Sequence, residues 1–154
     1  MKIPQLPSQR DLFLTSLQIH QAVYEKSHGV LGHRLLMGMP TLLLRTTGRK
    51  TGQTRTTALV YATDQGRWLV VGSNGGARRD PAWILNLEAQ PEVSFQVGVR
   101  TRKATASVVR GDDPDYERLF ALCNKANRGT FAKYRTRTDR SLPIVVLTPP
   151  RASE

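Results

Sequence analysis

The sequence has few acidic residues, one cysteine and no long apolar run, and each shortage excludes a class of protein. Cys123 alone cannot form an internal disulfide, and three scattered histidines without a partner cysteine do not have the spacing of a zinc site. No segment approaches the roughly 18 consecutive apolar residues of a membrane-spanning helix. The N-terminus also lacks the apolar core and cleavage site of a signal peptide. We therefore expect a cytoplasmic protein without a structural metal.

The shortage of acids leaves the chain strongly basic. It carries 23 Lys and Arg residues against 12 Asp and Glu residues, which gives a net charge of +11. Such a charge attracts nucleic acid, an anionic membrane surface or a small ligand with several negative charges. From Lys26 to Thr63 there are six basic residues and no acid. The positive charge is therefore concentrated in one part of the chain.

The length and apolar content suit one domain with a core, because 154 residues include 39% apolar ones. We expect residues 1–10 to be a flexible arm and residues 11–154 to form a single domain. Apolar spacing near the helical period, with Asp11 as a possible N-cap, predicts an amphipathic helix at 11–24. This helix is a candidate for peripheral membrane contact.

Short runs rich in β-branched residues, separated by turn residues, predict about six strands. Three of them should form an antiparallel meander at 41–46, 54–63 and 67–73, and three more follow at 92–100, 102–110 and 142–149. Val93, Phe95 and Val97 alternate and should share one face. Since strands and helices do not alternate as in βαβ folds, the sequence predicts a mainly β antiparallel barrel with peripheral helices.

Two further helices are predicted from their starting residues. Asp80 as N-cap and Pro81 at the first helical position should begin a short helix that ends before Pro91. Asp113 and Pro114 repeat this pattern before a second apolar stripe. Together with the helix at 11–24, these make three helices.

A basic turn, GRKTG at 48–52, lies between the first two predicted strands. Its glycines can take up the positive φ of a tight turn, while backbone amides and the side chains of Arg49 and Lys50 face an anion. It is not a nucleotide P-loop, which has four residues between its glycines and opens a helix. The alternative is a solvated basic hairpin tip.

A second candidate anion or cofactor loop is SNGGARRDP at 73–81. It connects a strand end to a helix start, so amide donors and the positive end of the helix dipole converge there. Arg78 and Arg79 add charge. The alternative is an ordinary connection between a strand and a helix.

Three segments together resemble the deazaflavin-dependent nitroreductase family of split β-barrel oxidoreductases. They are LLLRTTGRKTGQTRTTALVY at 42–61, VVGSNGGARRDPAWILNLEAQPEV at 70–93 and TDRSLPIVVLTP at 138–149. The resemblance covers nearly all of residues 22–149 and implies a split β-barrel similar to FMN-binding proteins. It also implies an enzyme in which reduced coenzyme F420, an 8-hydroxy-5-deazaflavin, gives a hydride to an electrophilic enone, quinone or nitro compound.

The resemblance implies that the basic turn grips the phosphodiester and oligoglutamate tail of the coenzyme, and Arg and Lys suit both groups physically. That role falls to Arg49 and Lys50, and Arg55 and Arg45 are weaker candidates for it. Residues 73–76 would lie along the deazaflavin ring. The coenzyme-binding set implied in this way is Arg49, Lys50, Thr51, Gly52, Arg55, Ser73, Asn74, Gly75, Gly76, Arg78, Arg79, Ala82 and Trp83.

The cofactor supplies the difficult chemistry, so the protein needs to orient the reactants and provide a proton donor. Tyr134 matches a tyrosine at the substrate pocket of family members, and Ser73 is the other candidate donor. The implied substrate pocket comprises Tyr61, Arg128, Phe131 and Tyr134. Leu59 is either a pocket wall or a core residue.

Two departures from the family pattern bear on the substrate. Arg128 and Phe131 occupy positions where nitroimidazole-reducing members tend to have tyrosines, and Asn74 replaces a basic residue. Both favour an enone, a quinone or another unsaturated compound over nitroimidazoles. The alternatives are an FMN-binding split-barrel protein, a coenzyme carrier without turnover, or a nucleic-acid-binding barrel, which only the net charge favours. The oligomeric state is left open.

Overall fold

A computed structural model describes residues 38–151 of the chain. The flexible arm at 1–10 and the amphipathic helix at 11–24, with its membrane contact, lie outside the described residues and stay predictions. Within residues 38–151, every helix is too short or too polar to span a bilayer.

Seven antiparallel strands form one sheet, with the spatial order β2-β1-β5-β6-β7-β4-β3. The strands are β1 (Thr41–Thr47), β2 (Thr54–Val60), β3 (Ala62–Asp64), β4 (Arg67–Val71), β5 (Glu92–Val97), β6 (Arg100–Val109) and β7 (Ile144–Thr148). The prediction of a mainly β fold is confirmed.

The predicted strand at 54–63 is two strands, because the chain changes edge at Tyr61. β2 pairs with β1, whereas β3 pairs with β4. β2 and β3 therefore lie at opposite ends of the spatial order. Both antiparallel pairings of the predicted meander are therefore present, but its middle strand is divided between the two edges of the sheet. The backbone N–H of Tyr61 donates to the carbonyl of Pro40 at 3.0 Å, which is the last contact with the β1 side before the chain enters β3. Since one residue joins the two edge strands, the sheet must curl until its edges approach, which is the split-barrel arrangement.

The alternating side chains of the strands fill the barrel interior. Leu44, Phe95 and Leu147 are fully buried there, and Val93 and Val97 share the same face as predicted. Helix α1 (Ala82–Ala89) packs its buried side chains Trp83, Ile84 and Leu87 into this core. The first core cluster thus attaches α1 to the barrel.

A second core cluster covers the outer face of β4 and β7. Leu69 and Ile144 contribute from the strands, and Leu119, Cys123 and Phe131 contribute from the helices α2 (Tyr116–Ala126) and α3 (Thr130–Arg135). β4 and β7 are therefore buried on both faces. Helix α3 was not predicted from the sequence.

Both predicted N-caps differ from the structure. Pro81 is the N-cap of α1, and the Asp80 carboxylate instead accepts hydrogen bonds from Arg110 and Arg140. Likewise the N-cap of α2 is Asp115 and not Asp113. The Asp113 carboxylate instead accepts a hydrogen bond from the Asp115 backbone N–H at 2.8 Å, in the turn before the helix. At α1, Arg110 and Arg140 bind the Asp80 carboxylate in place of the backbone N–H groups that an N-cap would accept from.

Candidate functional site

The basic turn between β1 and β2 is tied to helix α1. Two backbone hydrogen bonds close the turn, from Gly48 N–H to Gln53 at 2.7 Å and from Gly52 N–H to Gly48 at 2.8 Å. The Oδ1 atom of Asn86, a buried residue of α1, accepts from the Arg49 backbone N–H at 3.2 Å and from its guanidinium at 2.9 Å. The turn is therefore tied to α1, while its residues 49–53 stay exposed to solvent.

The turn and α1 border an open surface cleft of about 530 Å³. Its lining residues, all in the described part of the chain, include no Asp or Glu. Three cationic side chains face it, and the hydroxyls and amides around them can donate hydrogen bonds to an anion. These donors fit the phosphate and carboxylates of a coenzyme tail. The lining residues are Gly48, Arg49, Lys50, Thr51, Arg55, Thr56, Thr57, Ala82, Trp83 and Asn86.

Residues 72–78, called the 72–78 loop from here on, lead from β4 towards α1. Asn74, Gly75 and Gly76 have consecutive positive φ angles of 46°, 63° and 80°. A Cβ atom on Gly76 would lie 2.7 Å from the carbonyl oxygen of Tyr134, and one on Gly72 would lie 2.8 Å from the Ile84 side chain. The loop is thus packed between α1 and α3 with no room for larger side chains at these two glycines.

Arg140 holds this loop through four acceptors. Its guanidinium donates to the carbonyl oxygens of Gly72 at 3.3 Å, Ser73 at 2.8 Å and Ala77 at 2.7 Å. It also pairs with Asp80 at 2.8 Å. Sequence reasoning missed these contacts, although Arg140 lies in one of the three segments that carried the family resemblance.

The predicted proton donors lie near the loop. Tyr134 is half-buried against the second core cluster, and the Arg137 guanidinium lies 5.4 Å from its ring centroid. Its backbone carbonyl contacts Gly76, as described above. Ser73 is half-buried and begins the three-residue turn. The structure therefore brings the loop and Tyr134 together.

The other predicted pocket residues lie elsewhere. Phe131 is only 6% exposed and packs in the second core cluster, and Tyr61 and Leu59 pack against the first. Arg128 is exposed. Arg45 lines a different groove and donates to Gln96 at 2.9 Å. The substrate-pocket roles of Tyr61, Arg128 and Phe131 stay predictions.

The remaining coenzyme candidates border the cleft or the loop. Ala82 and Trp83 line the cleft, whereas Arg78 at the end of the loop and Arg79 after it are exposed. The carbonyl of Arg79 accepts from the Asn74 side chain at 3.1 Å. Asn86, Thr56 and Thr57 line the cleft but were not predicted. Because side chains alternate along a strand, Thr57 shares a face with Leu59, which was a pocket candidate. Thr57 could therefore have been predicted from the sequence.

The clearest pKa shifts lie away from the cleft. Hydrogen bonds from Arg118 and Arg67 lower the pKa of Asp64, and a hydrogen bond from Arg118 lowers that of Asp115. Burial raises the pKa of Cys123 to about 12. A thiol with such a pKa is not a nucleophile near neutral pH, which agrees with a packing role.

Comparisons with known proteins point to one activity. Residues 16–149 match the family described as F420H(2)-dependent quinone reductase. The F420H(2)-dependent quinone reductase Rv1261c of Mycobacterium tuberculosis is 44% identical over 140 residues, which are 91% of this chain and 94% of the relative. A solved F420-H2 dependent reductase, FDR-A, has a TM-score of 0.62 and 30% identity, covering 70% of this chain and 93% of its own.

A further solved structure, described as a domain-swapped dimer, has a TM-score of 0.67 and 28% identity, covering 88% of this chain and 98% of its own. These matches confirm the split-barrel fold and the prediction of a deazaflavin-dependent oxidoreductase that uses coenzyme F420. The chain belongs to the F420H(2)-dependent quinone reductase family.

Proposed function

We propose that this protein reduces a quinone to the hydroquinone with reduced coenzyme F420 as electron donor. The observation that carries the proposal is the cleft whose lining, within residues 38–151, holds Arg49, Lys50 and Arg55 and no carboxylate, and which is joined through α1 to the 72–78 loop. When bound, the reduced deazaflavin supplies a hydride, which brings two electrons. One further proton completes the hydroquinone.

The cleft binds the anionic part of the coenzyme. Arg49, Lys50 and Arg55 donate charge-assisted hydrogen bonds to the phosphodiester and the oligoglutamate carboxylates. Asn86 holds Arg49 in place before the coenzyme arrives, so less side-chain freedom is lost on binding. The remaining N–H groups of the same guanidinium are directed to the anion.

The 72–78 loop orients the ring. At Gly75 an added Cβ would meet no atom within 4 Å, so glycine at this position leaves the backbone open to a flat ring. Ala82 and Trp83 of α1 form the adjoining wall of the cleft. Together these elements exclude water from one side of the ring and hold it in one orientation for hydride transfer.

Tyr134 gives the proton. As the quinone carbonyl accepts the hydride equivalent, negative charge develops on its oxygen, and a nearby phenol stabilises that charge by donating its proton. The support for Tyr134 as the donor is that its backbone carbonyl lies beside Gly76 of the loop, so the residue is close to the proposed site of the ring. The hydroxyl of Ser73 is the alternative donor.

The experiment mixes the purified protein with reduced coenzyme F420 and a water-soluble naphthoquinone and follows the visible absorbance of the oxidised coenzyme. We expect turnover with this donor and none with NADPH or reduced FMN. An enone and a nitroimidazole serve as competing acceptors. Faster turnover of either one would contradict the quinone assignment, and tight binding of FMN without binding of coenzyme F420 would contradict the cofactor assignment.

A further inference from the structure

We infer that Arg140 is a positioning residue for coenzyme binding, because it sets the direction in which the 72–78 loop presents its backbone N–H groups. This inference rests on the proposed function only for the identity of the ligand. Arg140 itself lies behind the loop and is 60 or more residues away in the chain from each of its four acceptors.

The hydrogen bonds of Arg140 bracket the three-residue turn. The carbonyls of Gly72 and Ser73 lie before Asn74, and the carbonyl of Ala77 lies after Gly76. One planar guanidinium therefore fixes both ends of the turn. A guanidinium is suited to this because its N–H donors lie in one rigid plane.

Because peptide groups are planar, the same contacts also fix the direction of the backbone N–H groups in the loop. In a trans peptide the N–H of one residue points opposite to the carbonyl of the residue before it. Three carbonyls that face Arg140 therefore direct the N–H groups of Ser73, Asn74 and Arg78 away from it. None of these three N–H groups donates to a backbone carbonyl within residues 38–151. They are available to the polar edge of a ring or to an anion.

The loop needs this support because its backbone is strained. Asn74 is a non-glycine residue with a φ of 46°, followed by two glycines that also have positive φ. Such conformations persist only where the surroundings over-determine them. The Asn74 side chain bonds to the Arg79 carbonyl, which fixes one point, and Arg140 fixes three more.

Arg140 is itself held by Asp80. Both side chains are only 15% exposed, and Asp80 also accepts a hydrogen bond from Arg110, which reaches Glu88 at 2.9 Å. This chain of charges connects the end of β6, helix α1 and the 72–78 loop. It explains why Asp80 does not cap α1.

The test compares Arg140→Ala with Arg118→Ala. Arg118 is a matched control, because it also makes several ion-pair contacts, to Asp64 and Asp115, but lies outside the cleft and the loop. We expect Arg140→Ala to weaken coenzyme F420 binding, measured by fluorescence, at least about tenfold. Arg118→Ala should leave the Kd within about twofold, and the Tm of each variant is measured beside its Kd.

Two further measurements separate positioning from a general loss of stability. Added guanidinium ion should restore part of the coenzyme affinity of Arg140→Ala, and it should not affect Arg118→Ala. In the ligand-free protein, amide hydrogen exchange at 72–78 should be faster in Arg140→Ala than in the wild type or the control. Arg140→Lys, which keeps the charge without the planar fork, should bind with intermediate affinity and serves if the alanine variant does not fold.

A Kd for Arg140→Ala within twofold of wild type, or a loss of affinity equal to that of Arg118→Ala, would overturn the inference. So would unchanged hydrogen exchange at 72–78. If the wild-type protein does not bind coenzyme F420, the proposed function fails, but the hydrogen-exchange comparison still decides whether Arg140 orders the loop.

Discussion

The side-chain oxygen of Asn86 accepts two hydrogen bonds from Arg49, one from the backbone N–H and one from the guanidinium. These two residues are 37 positions apart in the sequence. The pair joins a hairpin turn to a helix and places a neutral acceptor, instead of a carboxylate, at the wall of the cleft. The choice of an amide holds Arg49 without neutralising its charge.

The variant Asn86→Asp tests this distinction. An aspartate keeps the acceptor oxygen and strengthens the bond to Arg49, so we expect the Tm to be maintained. The new carboxylate also repels an anionic ligand, and coenzyme affinity should fall at least about tenfold. Thermal unfolding and a fluorescence titration measure the two effects. Unchanged affinity would mean that the coenzyme tail does not pass Asn86.

Removing the charges of the turn should weaken coenzyme binding and its dependence on salt. We expect the double variant Arg49→Ala and Lys50→Ala to raise the Kd at least about tenfold, because charge-assisted hydrogen bonds are lost. The residual affinity should respond less to added salt. Arg100→Ala combined with Lys125→Ala removes the same net charge from exposed positions outside the cleft, and this control should bind normally.

Gly75 and Gly76 of the loop should differ in their tolerance of alanine. Both have positive φ, so each substitution costs about 1–2 kcal/mol of backbone strain. At Gly75 no atom lies within 4 Å of an added Cβ, whereas at Gly76 the Tyr134 carbonyl lies at 2.7 Å. Urea unfolding should therefore show Gly76→Ala to be the more destabilising by about 1 kcal/mol or more. An equal loss of stability in both variants would show that the backbone near Tyr134 moves to accept the added Cβ without an energetic penalty.

Tyr134→Phe should separate catalysis from stability. The ring stays packed in the second core cluster, so we expect the Tm and the coenzyme Kd to be unchanged, while kcat for the quinone falls at least about tenfold. Tyr116→Phe is a control in which we expect the opposite result, a loss of stability without a loss of activity. Its hydroxyl donates to the Leu142 carbonyl at 2.8 Å in the core, so its loss should cost about 1 kcal/mol of stability and leave kcat unaffected. A normal kcat for Tyr134→Phe would transfer the proton-donor role to Ser73.

The ion pairs of Asp64 should make stability fall in acid. Hydrogen bonds from Arg118 and Arg67 lower its pKa in the folded state. The stabilisation is therefore complete above the unfolded pKa of about 4 and is lost as the pH falls through the lower folded value. We expect the wild-type Tm to drop more steeply than that of Asp64→Asn between about pH 5 and pH 2. Parallel Tm curves would show that these exposed pairs contribute nothing measurable.

The sequence predicts the parts of the molecule that depend on local patterns. Alternation at Val93, Phe95 and Val97 locates a strand and its buried face, and the spacing of the glycines in the basic turn locates a hairpin. The family resemblance adds the cofactor. In contrast, residues 54–63 form a continuous β-prone run, and nothing local in it indicates that Tyr61 leaves one edge of the sheet for the other.

Long-range contacts account for the other differences. The short helix α3 lies in a polar segment and follows Gly129, and it is stabilised by burying Phe131 against α2 and the sheet. Asp80 has the local pattern of an N-cap, but Arg140 competes for it from 60 residues away. Asn86 and Arg140 are single polar side chains whose partners only the folded chain brings close.

The position of β7 between β6 and β4 also affects how the chain must fold. β7 follows all the other strands in the sequence, yet it pairs with both β6 and β4 and supplies buried residues to both core clusters. During synthesis on the ribosome, the hairpins β1-β2, β3-β4 and β5-β6 can form early from nearby residues, and β1 can pair with β5, but β4 cannot join β6 until residues 144–148 have emerged. Until then β4 and β6 expose unpaired edges, so protection by a chaperone matters most for this late stage of translation.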